Sequence, residues 1–335
     1  MLETNLSLGR KMLTEKKQRL PYPTGIILDI HNYCNAKCII CPYTKLQKEI
    51  PQGIMSWELY TGIIDDYHHL MEKYTFKGKL TYCQMGEPFI LKDISKWVKY
   101  AIDRNIEVYF NTNASLLTPS VVNSLIEVGY KGLFNISFFG ISKEIYEDIM
   151  GLNYDKTINN IEYLLKNYPR KQILINAVNY KWPEGEKQKV LKYWSERDIS
   201  VTISKPLSRS GLMRNIKNPP KKRIAGCGTE RVSFEMVISF NGDVLLCCHD
   251  MARENILGNL RKSTIYEIWN GKKFQNIITA IYSGNSLSPN FICRRCEESV
   301  SYWSIRRMVK KLIPDGILKE IKKRRGSKWI VSKKT

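Results

Sequence analysis

The chain has 335 residues, of which 43% are apolar and 25% charged, and its formal net charge is +21 at pH 7. This length suits one large domain and a smaller one, and the composition is that of a globular protein rather than a disordered or fibrous one. Nine cysteines are too few for a disulfide scaffold, and neither a secretion signal nor an apolar run of membrane-spanning length is visible. We therefore expect a cytoplasmic protein.

Strand-like and helix-like segments alternate from residue 25 to residue 204. Strands are predicted at 25–30, 79–84, 106–110, 133–138, 172–178 and 199–204. Helices are predicted to begin at Ser56, Asp93 and Thr118 and to cover 142–167 and 187–196. This alternation is typical of a parallel sheet with right-handed crossovers. We expect an α/β fold, a partial and open (β/α)6 barrel with its active site at the carboxyl ends of the strands.

Three cysteines, Cys34, Cys38 and Cys41, directly follow the first predicted strand. Thiolates are soft ligands that favour an iron–sulfur cluster or zinc. A structural zinc site needs a fourth ligand nearby, and the next residues, 42–45, contain none. On a four-iron cluster, three thiolates leave one iron open for chemistry. Zinc binding or a chance grouping is the alternative.

The C-x3-C-x2-C spacing resembles the signature of the radical S-adenosylmethionine (SAM) superfamily. The resemblance implies that Cys34, Cys38 and Cys41 hold a catalytic [4Fe–4S] cluster whose open iron is chelated by SAM. It further implies that an electron from the cluster cleaves SAM to a 5′-deoxyadenosyl radical, which abstracts hydrogen from the substrate. An electron donor such as flavodoxin or ferredoxin is expected as a partner.

Other positions resemble the SAM-binding motifs of this family. Gly86-Glu87-Pro88 resembles the GGEP motif, with Met85 in place of the first glycine. Asn111-Thr-Asn113 resembles a TNG-type strand end. The resemblance implies cofactor binding by Ile40, Gly86, Glu87, Asn113 and Ser137. Taken alone, asparagine and serine at strand ends are more often turn or strand residues than ligands.

A second group of cysteines follows a polar connector at 205–226. Asn241-Gly242 separates two apolar runs and predicts a hairpin. The spacing from Cys227 through Gly242 to Cys247 resembles the opening of a SPASM auxiliary-cluster domain, and so do the segments 257–260 and 265–270. Four rather than seven cysteines resemble the shortened Twitch variant. This implies one closed [4Fe–4S] cluster held by Cys227, Cys247, Cys293 and Cys296, with zinc as the alternative.

Three further side chains allow two interpretations each. Cys248 is either an inert neighbour of the second cysteine group or a hydrogen donor to a substrate radical, and the same choice applies to Cys83 on the second strand. His249 is expected to be structural rather than catalytic. The domains predicted from these patterns are a basic arm at 1–20, the barrel at 21–215, a small α+β auxiliary domain at 216–300 and a basic tail at 301–335.

The tail carries twelve Lys and Arg residues against Asp315 and Glu320. Its apolar residues alternate with basic pairs and are interrupted at Pro314, which predicts two short amphipathic helices. We expect the first to cap the domain and the second to contact an anionic membrane surface. A solvated tail is the alternative. Nucleic acid is not expected as a partner, because interleaved aromatic RNA-binding motifs are absent.

These features predict a radical SAM oxidoreductase that dehydrogenates a sugar, an aminocyclitol or another small polyol. A closed auxiliary cluster suits this reaction because it can accept the electron lost when a hydroxyl-bearing carbon becomes a carbonyl. Gln84, Arg209 and Arg214 are candidates to orient the substrate. The alternatives are epimerisation or thioether formation in a ribosomal peptide, and a non-catalytic iron–sulfur protein that binds membrane or nucleic acid.

Overall fold

The structure, a computed structural model, describes residues 19–283 and 287–302. Arg19 and Leu20 are the only residues of the predicted N-terminal arm within this range. The Arg19 guanidinium lies 3.7 Å from the Trp269 ring centroid and donates a hydrogen bond to the Trp269 carbonyl. The predicted tail helices lie outside the described residues.

Six parallel strands form the sheet that the sequence predicts. They are β1 (Gly25–Leu28), β2 (Lys79–Tyr82), β3 (Glu107–Thr112), β4 (Phe134–Ser137), β5 (Ile173–Val178) and β6 (Ser200–Ser204). They lie side by side in chain order, with Gly25 opposite Lys79 and Lys79 opposite Glu107 at the start of the register. The partial-barrel α/β fold is therefore confirmed.

Seven helices accompany these strands. They are α1 (Tyr43–Leu46), α2 (Trp57–Tyr74), α3 (Ile94–Ile102), α4 (Pro119–Glu127), α5 (Lys143–Met150), α6 (Tyr154–Asn167) and α7 (Glu186–Ser195). Ser56 accepts a hydrogen bond from the Leu59 N–H at the start of α2, as a helix cap does. Thr118 caps α4 in the same way, whereas Asp93 precedes α3 without a side-chain cap bond.

The single helical stretch predicted at 142–167 is wrong in one respect, because the structure has two helices there. Gly151 adopts a left-handed conformation with φ of 62° and ends α5. Asn153 then caps α6 by accepting from the Lys156 N–H. A Cβ at position 151 would lie 3.0 Å from the Lys37 Cβ, so the break also makes room for the cysteine loop.

The carboxyl-terminal part contains five strands: β7 (Ile224–Cys227), β8 (Glu235–Ile238), β9 (Asp243–Leu245), β10 (Ile256–Asn259) and β11 (Ser299–Ser301). Three of them, β8, β9 and β10, extend the same sheet. The predicted hairpin joins β8 to β9, with Gly242 at φ of 88°. Strand β8 pairs in parallel with β1, so the strand order is β10-β9-β8-β1-β2-β3-β4-β5-β6 and the sheet continues across residue 215.

The remaining elements surround the second cysteine group. Strands β7 and β11 form a separate two-stranded antiparallel sheet in which Cys227 lies opposite Ser299. The helices are α8 (Ile265–Asn270), α9 (Lys272–Ser283) and α10 (Ile292–Arg295). Within the described ranges, no helix has the length and apolar character needed to cross a membrane.

Candidate functional site

The cysteine loop leaves β1 at the carboxyl edge of the sheet, and hydrogen bonds that involve backbone groups hold it to the neighbouring segments. The Asp29 carboxylate accepts hydrogen bonds from the N–H groups of Gln84 (2.8 Å) and Met85 (3.0 Å) after β2. Burial raises the pKa of Asp29 to about 7, although these two bonds oppose the rise. On the other side, the Lys37 N–H donates to the Met150 carbonyl at the end of α5.

Cys34, Cys38 and Cys41 all lie in this loop, near enough for their charges to act on one another. Burial raises the pKa of Cys34 to about 12 and raises the pKa of Cys38 further, and in both the charge of Cys41 adds to the rise. Three thiolates that repel one another in a half-buried loop need a cation to stabilise them. The donor set therefore fits the cluster that the spacing predicts, and its ligand role stays a prediction.

Gly86 shows why the second motif requires a glycine. Its φ is +114°, and a Cβ there would lie 2.7 Å from the Tyr33 carbonyl oxygen in the cysteine loop. The next residue, Glu87, donates its N–H to the same carbonyl at 2.8 Å. Met85 is buried, so the departure from the family motif at this position is filled by packing. The motif backbone lies directly against the cysteine loop.

The carboxylate of Glu87 is buried and accepts hydrogen bonds from residues at the end of β3. The side chain is 1% exposed and accepts hydrogen bonds of 2.7 Å from the Thr112 hydroxyl and from the Asn113 N–H at the end of β3. Burial raises the pKa of Glu87 to about 7, against these bonds. The carboxylate therefore joins the ends of β2 and β3, a contact that the sequence pattern does not reveal.

The other predicted cofactor residues differ in how closely they approach the loop. Asn113 donates from Nδ2 to the Asn35 Oδ1 at 3.0 Å and accepts from Ser115. Ile40 is buried within the loop itself. Ser137 ends β4 and is half-buried, and its hydroxyl makes no hydrogen bond within the described part of the chain. The structure thus joins Asn113, but not Ser137, to the cysteine loop by hydrogen bonds.

A row of asparagine side chains crosses the face of the sheet opposite the buried core. Asn111 donates to the Cys83 carbonyl at 3.2 Å, Asn135 donates to Asn111 at 2.7 Å, and Asn176 donates to Asn135. The three lie at half-buried positions that alternate with buried ones on β3, β4 and β5. Sequence reasoning missed this row, although the available signal was an asparagine on two successive predicted strands, 133–138 and 172–178, and another directly after the strand predicted at 106–110.

The second cysteine group lines one cavity. Its walls include Cys227, Cys247, Cys248, Cys293 and Cys296, together with Ser210, Arg231 and His249. Burial raises the pKa of Cys293, and the charges of Cys296 and Cys227 raise it further. Four cysteines around one cavity, Cys296 buried and the other three half-buried, fit a closed [4Fe–4S] cluster. His249, Cys296 and Glu297 also place ligand atoms within 4.8 Å of one another, so zinc remains the alternative.

The other cysteines and polar side chains that the sequence singles out lie in different surroundings. Arg231 donates to the Cys248 Sγ at 3.2 Å, so Cys248 lines the second cavity beside a fixed positive charge. Cys83 is buried in the strand wall with φ of 65°. Burial lowers the pKa of His249 to about 4. Of the three candidates for substrate contact, Gln84 donates to the Cys248 carbonyl at 2.8 Å, Arg209 is half-buried and Arg214 is exposed.

Two family models match the chain. The model described as the radical SAM superfamily matches residues 28–186, and the model described as an iron-sulfur cluster-binding domain, SPASM, matches residues 227–297. Among curated proteins, the S-adenosyl-L-methionine-dependent 2-deoxy-scyllo-inosamine dehydrogenase of Niallia circulans is 21% identical over 277 residues, which are 81% of this chain and 91% of the relative.

Solved structures show the same fold. SuiB of Streptococcus suis bound to precursor peptide SuiA has a TM-score of 0.61 at 18% identity, covering 88% of this chain and 73% of SuiB. BtrN in complex with AdoMet and 2-DOIA has a TM-score of 0.52 at 18% identity, covering 78% of this chain and 87% of BtrN. At these identities the likeness establishes fold alone.

Proposed function

The chain belongs to the radical SAM superfamily and carries a SPASM iron–sulfur domain, and we propose that this radical SAM oxidoreductase dehydrogenates a sugar, an aminocyclitol or another small polyol. One observation carries the proposal: the cavity lined by the four predicted ligand cysteines also includes Cys248, whose carbonyl accepts a hydrogen bond from Gln84 after β2. A closed second site next to the first suits removal of an electron from substrate. The 2-deoxy-scyllo-inosamine dehydrogenase, similar over most of its length, supports this choice.

The proposed ligand sets are Cys34, Cys38 and Cys41 for the SAM-binding cluster and Cys227, Cys247, Cys293 and Cys296 for the auxiliary cluster. When bound, these groups supply a radical that abstracts hydrogen and an acceptor for one electron. The substrate loses a hydrogen atom from carbon, a proton from its hydroxyl and one electron, and its product is a carbonyl compound two hydrogens lighter.

The chain's own residues position the reactants. Gly86 lets the motif backbone approach the cysteine loop, and we assign Ile40, Glu87, Asn113 and Ser137 to the SAM pocket with it. The asparagine row offers amide donors and acceptors on the open face of the sheet, which suits a ligand rich in hydroxyl groups. Gln84 donates a hydrogen bond to the Cys248 carbonyl, and Arg209 directly precedes Ser210, which lines the second cavity, whereas Arg214 is exposed and is left out of the proposal.

A second candidate function is epimerisation or thioether formation in a ribosomal peptide. The observation that favours it is the position of Cys248, which lines the second cavity and could return a hydrogen atom to a substrate radical. SuiB, a structure of the same fold, is bound to a precursor peptide. The dehydrogenase remains our proposal, because a cluster ligated by four cysteines has no open iron and suits the removal of an electron from the substrate.

Turnover in heavy water separates the two functions. Oxidation yields a product two mass units lighter than the substrate, with no deuterium at the reacting carbon. Epimerisation yields a product one unit heavier, because the returning hydrogen comes from a thiol that exchanges with solvent. Deuterium that disappears in Cys248→Ala or Cys83→Ala would overturn the dehydrogenase proposal.

The remaining partners are also proposals. We propose a cytoplasmic protein that receives electrons from a flavodoxin or ferredoxin, and all nine cysteines are unpaired, as in a reducing compartment. The basic tail at 301–335 is proposed to contact an anionic membrane surface. We propose a barrel at 21–215 that holds the SAM-binding cluster and an auxiliary domain at 216–300 that holds the second cluster. The two parts share one continuous sheet.

A further inference from the structure

A short segment, Ser208–Leu212, bridges the two cysteine groups. Ser210 lines the cavity that contains Cys227, Cys247, Cys293 and Cys296. Two residues later, Leu212 packs against the small apolar cluster that includes Tyr43 and Met85 and that Cys34 and Cys41 also contact. Arg209 therefore lies on a segment that touches both proposed metal sites.

This segment has an unusual backbone. Arg209, Ser210 and Gly211 have φ angles of 50°, 56° and 84°, a run of three left-handed residues of which only one is glycine. Such a conformation is unfavourable for residues with a Cβ and persists only where the surroundings impose it. Ser208 is fully buried and helps to close the turn, since its hydroxyl accepts from the Gly211 N–H at 3.0 Å and its carbonyl accepts from the Met213 N–H at 2.8 Å.

Glu297 supplies the main external restraint on the segment. Its carboxylate accepts hydrogen bonds from the N–H groups of Ser208 and Ser210, the two residues that flank Arg209. Glu297 directly follows Cys296, a predicted ligand of the auxiliary cluster. A second restraint comes from Asn218, whose Nδ2 donates to the Ser208 hydroxyl at 3.2 Å and to the Arg295 carbonyl at 2.5 Å.

Arg209 is half-buried and lies directly before Ser210, which lines the second cavity, and three residues before Leu212, which packs on the apolar cluster that Cys34 and Cys41 contact. Among the described residues, the Arg209 guanidinium has no hydrogen-bond or ion-pair partner of its own. The restraints that the structure shows around Arg209 therefore act on the backbone that flanks it.

We propose that Glu297 is a positioning residue that holds Arg209 between the two iron–sulfur sites, so that one guanidinium stabilises the reduced state of both clusters. The inference rests on the proposed function, in which an electron enters at one site and leaves the substrate at the other. A positive charge favours a cluster that has gained an electron, so its removal lowers the reduction potential.

The test is a redox titration of both clusters in the reconstituted full-length protein without substrate, followed by electron paramagnetic resonance. Arg209→Gln should lower both potentials, and Arg209→Lys, which keeps the charge, should lower them less. Glu297→Gln should lower the potential of the SAM-binding cluster, because Arg209 is released. Direct loss of the Glu297 negative charge would only raise a potential, so the sign distinguishes positioning from simple electrostatics.

Three further variants sharpen the test. Glu298→Gln removes the same charge from the neighbouring residue and should leave the SAM-binding cluster unlowered. Glu297→Gln in the Arg209→Gln background should add no further decrease. Asn218→Ala releases the segment without changing charge and should give a smaller decrease, and it takes the place of Glu297→Gln if that variant loses its clusters.

Hydrogen exchange supplies a readout independent of the clusters' potentials. The amides of Ser208 and Ser210 should exchange faster in Glu297→Gln and not in Glu298→Gln. An unchanged or raised SAM-cluster potential in Glu297→Gln, beside a lowered one in Arg209→Gln, would overturn the positioning role. Unchanged potentials in Arg209→Gln would overturn the shared charge. A wrong substrate proposal would appear separately, as lowered potentials in these variants without oxidation of a polyol by the wild-type protein.

Discussion

The side-chain amide of Gln84 donates a hydrogen bond of 2.8 Å to the backbone carbonyl of Cys248. This bond joins the end of β2 to the loop after β9, and thus the barrel to the second cysteine cavity. The Gln84 Oε1 is buried without a hydrogen-bond partner in the described structure. Gln84 thus links the carboxyl end of β2 to the loop that carries Cys247 and Cys248.

Gln84→Met should remove this bond while keeping the side-chain volume. We expect a loss of about 1 kcal/mol in the free energy of unfolding, the net worth of an ordinary hydrogen bond. If Gln84 also contacts substrate, KM should rise about tenfold while iron content stays unchanged. Thermal unfolding and steady-state kinetics measure the two effects. An unaltered KM would remove Gln84 from the substrate site.

The two cysteine groups should bind separate clusters. The reconstituted protein should contain about eight irons, and changing Cys34, Cys38 and Cys41 together to Ala should leave about four and abolish SAM cleavage. Cys83→Ala is the matched control, because Cys83 lies outside both groups and should keep all the iron. 5′-Deoxyadenosine produced by the triple variant with dithionite would contradict the assignment.

Gly86→Ala should disturb the cofactor loop specifically. The new Cβ would lie 2.7 Å from the Tyr33 carbonyl oxygen, and the φ of +114° is unfavourable for alanine. We expect destabilisation of about 1–3 kcal/mol and weaker SAM binding. Gly62→Ala is the control, since its Cβ meets no atom within 4 Å and α2 should gain up to about 1 kcal/mol. SAM affinity equal to wild type in Gly86→Ala would be inconsistent with the proposed pocket.

Asp29 should make stability depend on pH. Its pKa is raised from 3.8 to about 7 by burial, so the folded state keeps a proton that the unfolded state has lost. The stabilisation is complete below about pH 4 and is lost as pH rises toward 7, by roughly 1.4 kcal/mol for each pH unit between the two pKa values. Asp29→Asn should flatten this part of the profile in urea unfolding of the apoprotein. An equal slope in both proteins would show that Asp29 does not titrate there.

We expect the basic tail to bind anionic membranes through its positive charge. Truncation after Tyr302 removes the basic segment and leaves β11, which pairs with β7, intact. Sedimentation with anionic liposomes should fall in the truncated protein, and added salt should weaken binding of the full-length chain. Neutral liposomes are the control. Binding that survives both truncation and salt would exclude an electrostatic role for the tail.

Much of the architecture could be predicted because its signals are local. The spacing of Cys34, Cys38 and Cys41 lies within eight residues, and the alternation of apolar segments lies within single strands and helices. Caps such as Ser56 and Thr118 depend on the next three residues. The break at Gly151 was missed because the helical period continues on both sides, while the left-handed turn that separates α5 from α6 is also shaped by its contact with Lys37.

The sequence alone thus determined the fold class, the family and two groups of cysteines as candidate ligands, because each follows from residue types at short fixed spacings. Only the tertiary structure decided which distant residues meet. Glu297 reaches the amides of Ser208 and Ser210, Gln84 reaches Cys248, and β8 lies beside β1. These contacts join parts of the chain dozens to more than two hundred residues apart. They depend on strand order and packing, on which local propensity and periodicity carry no information.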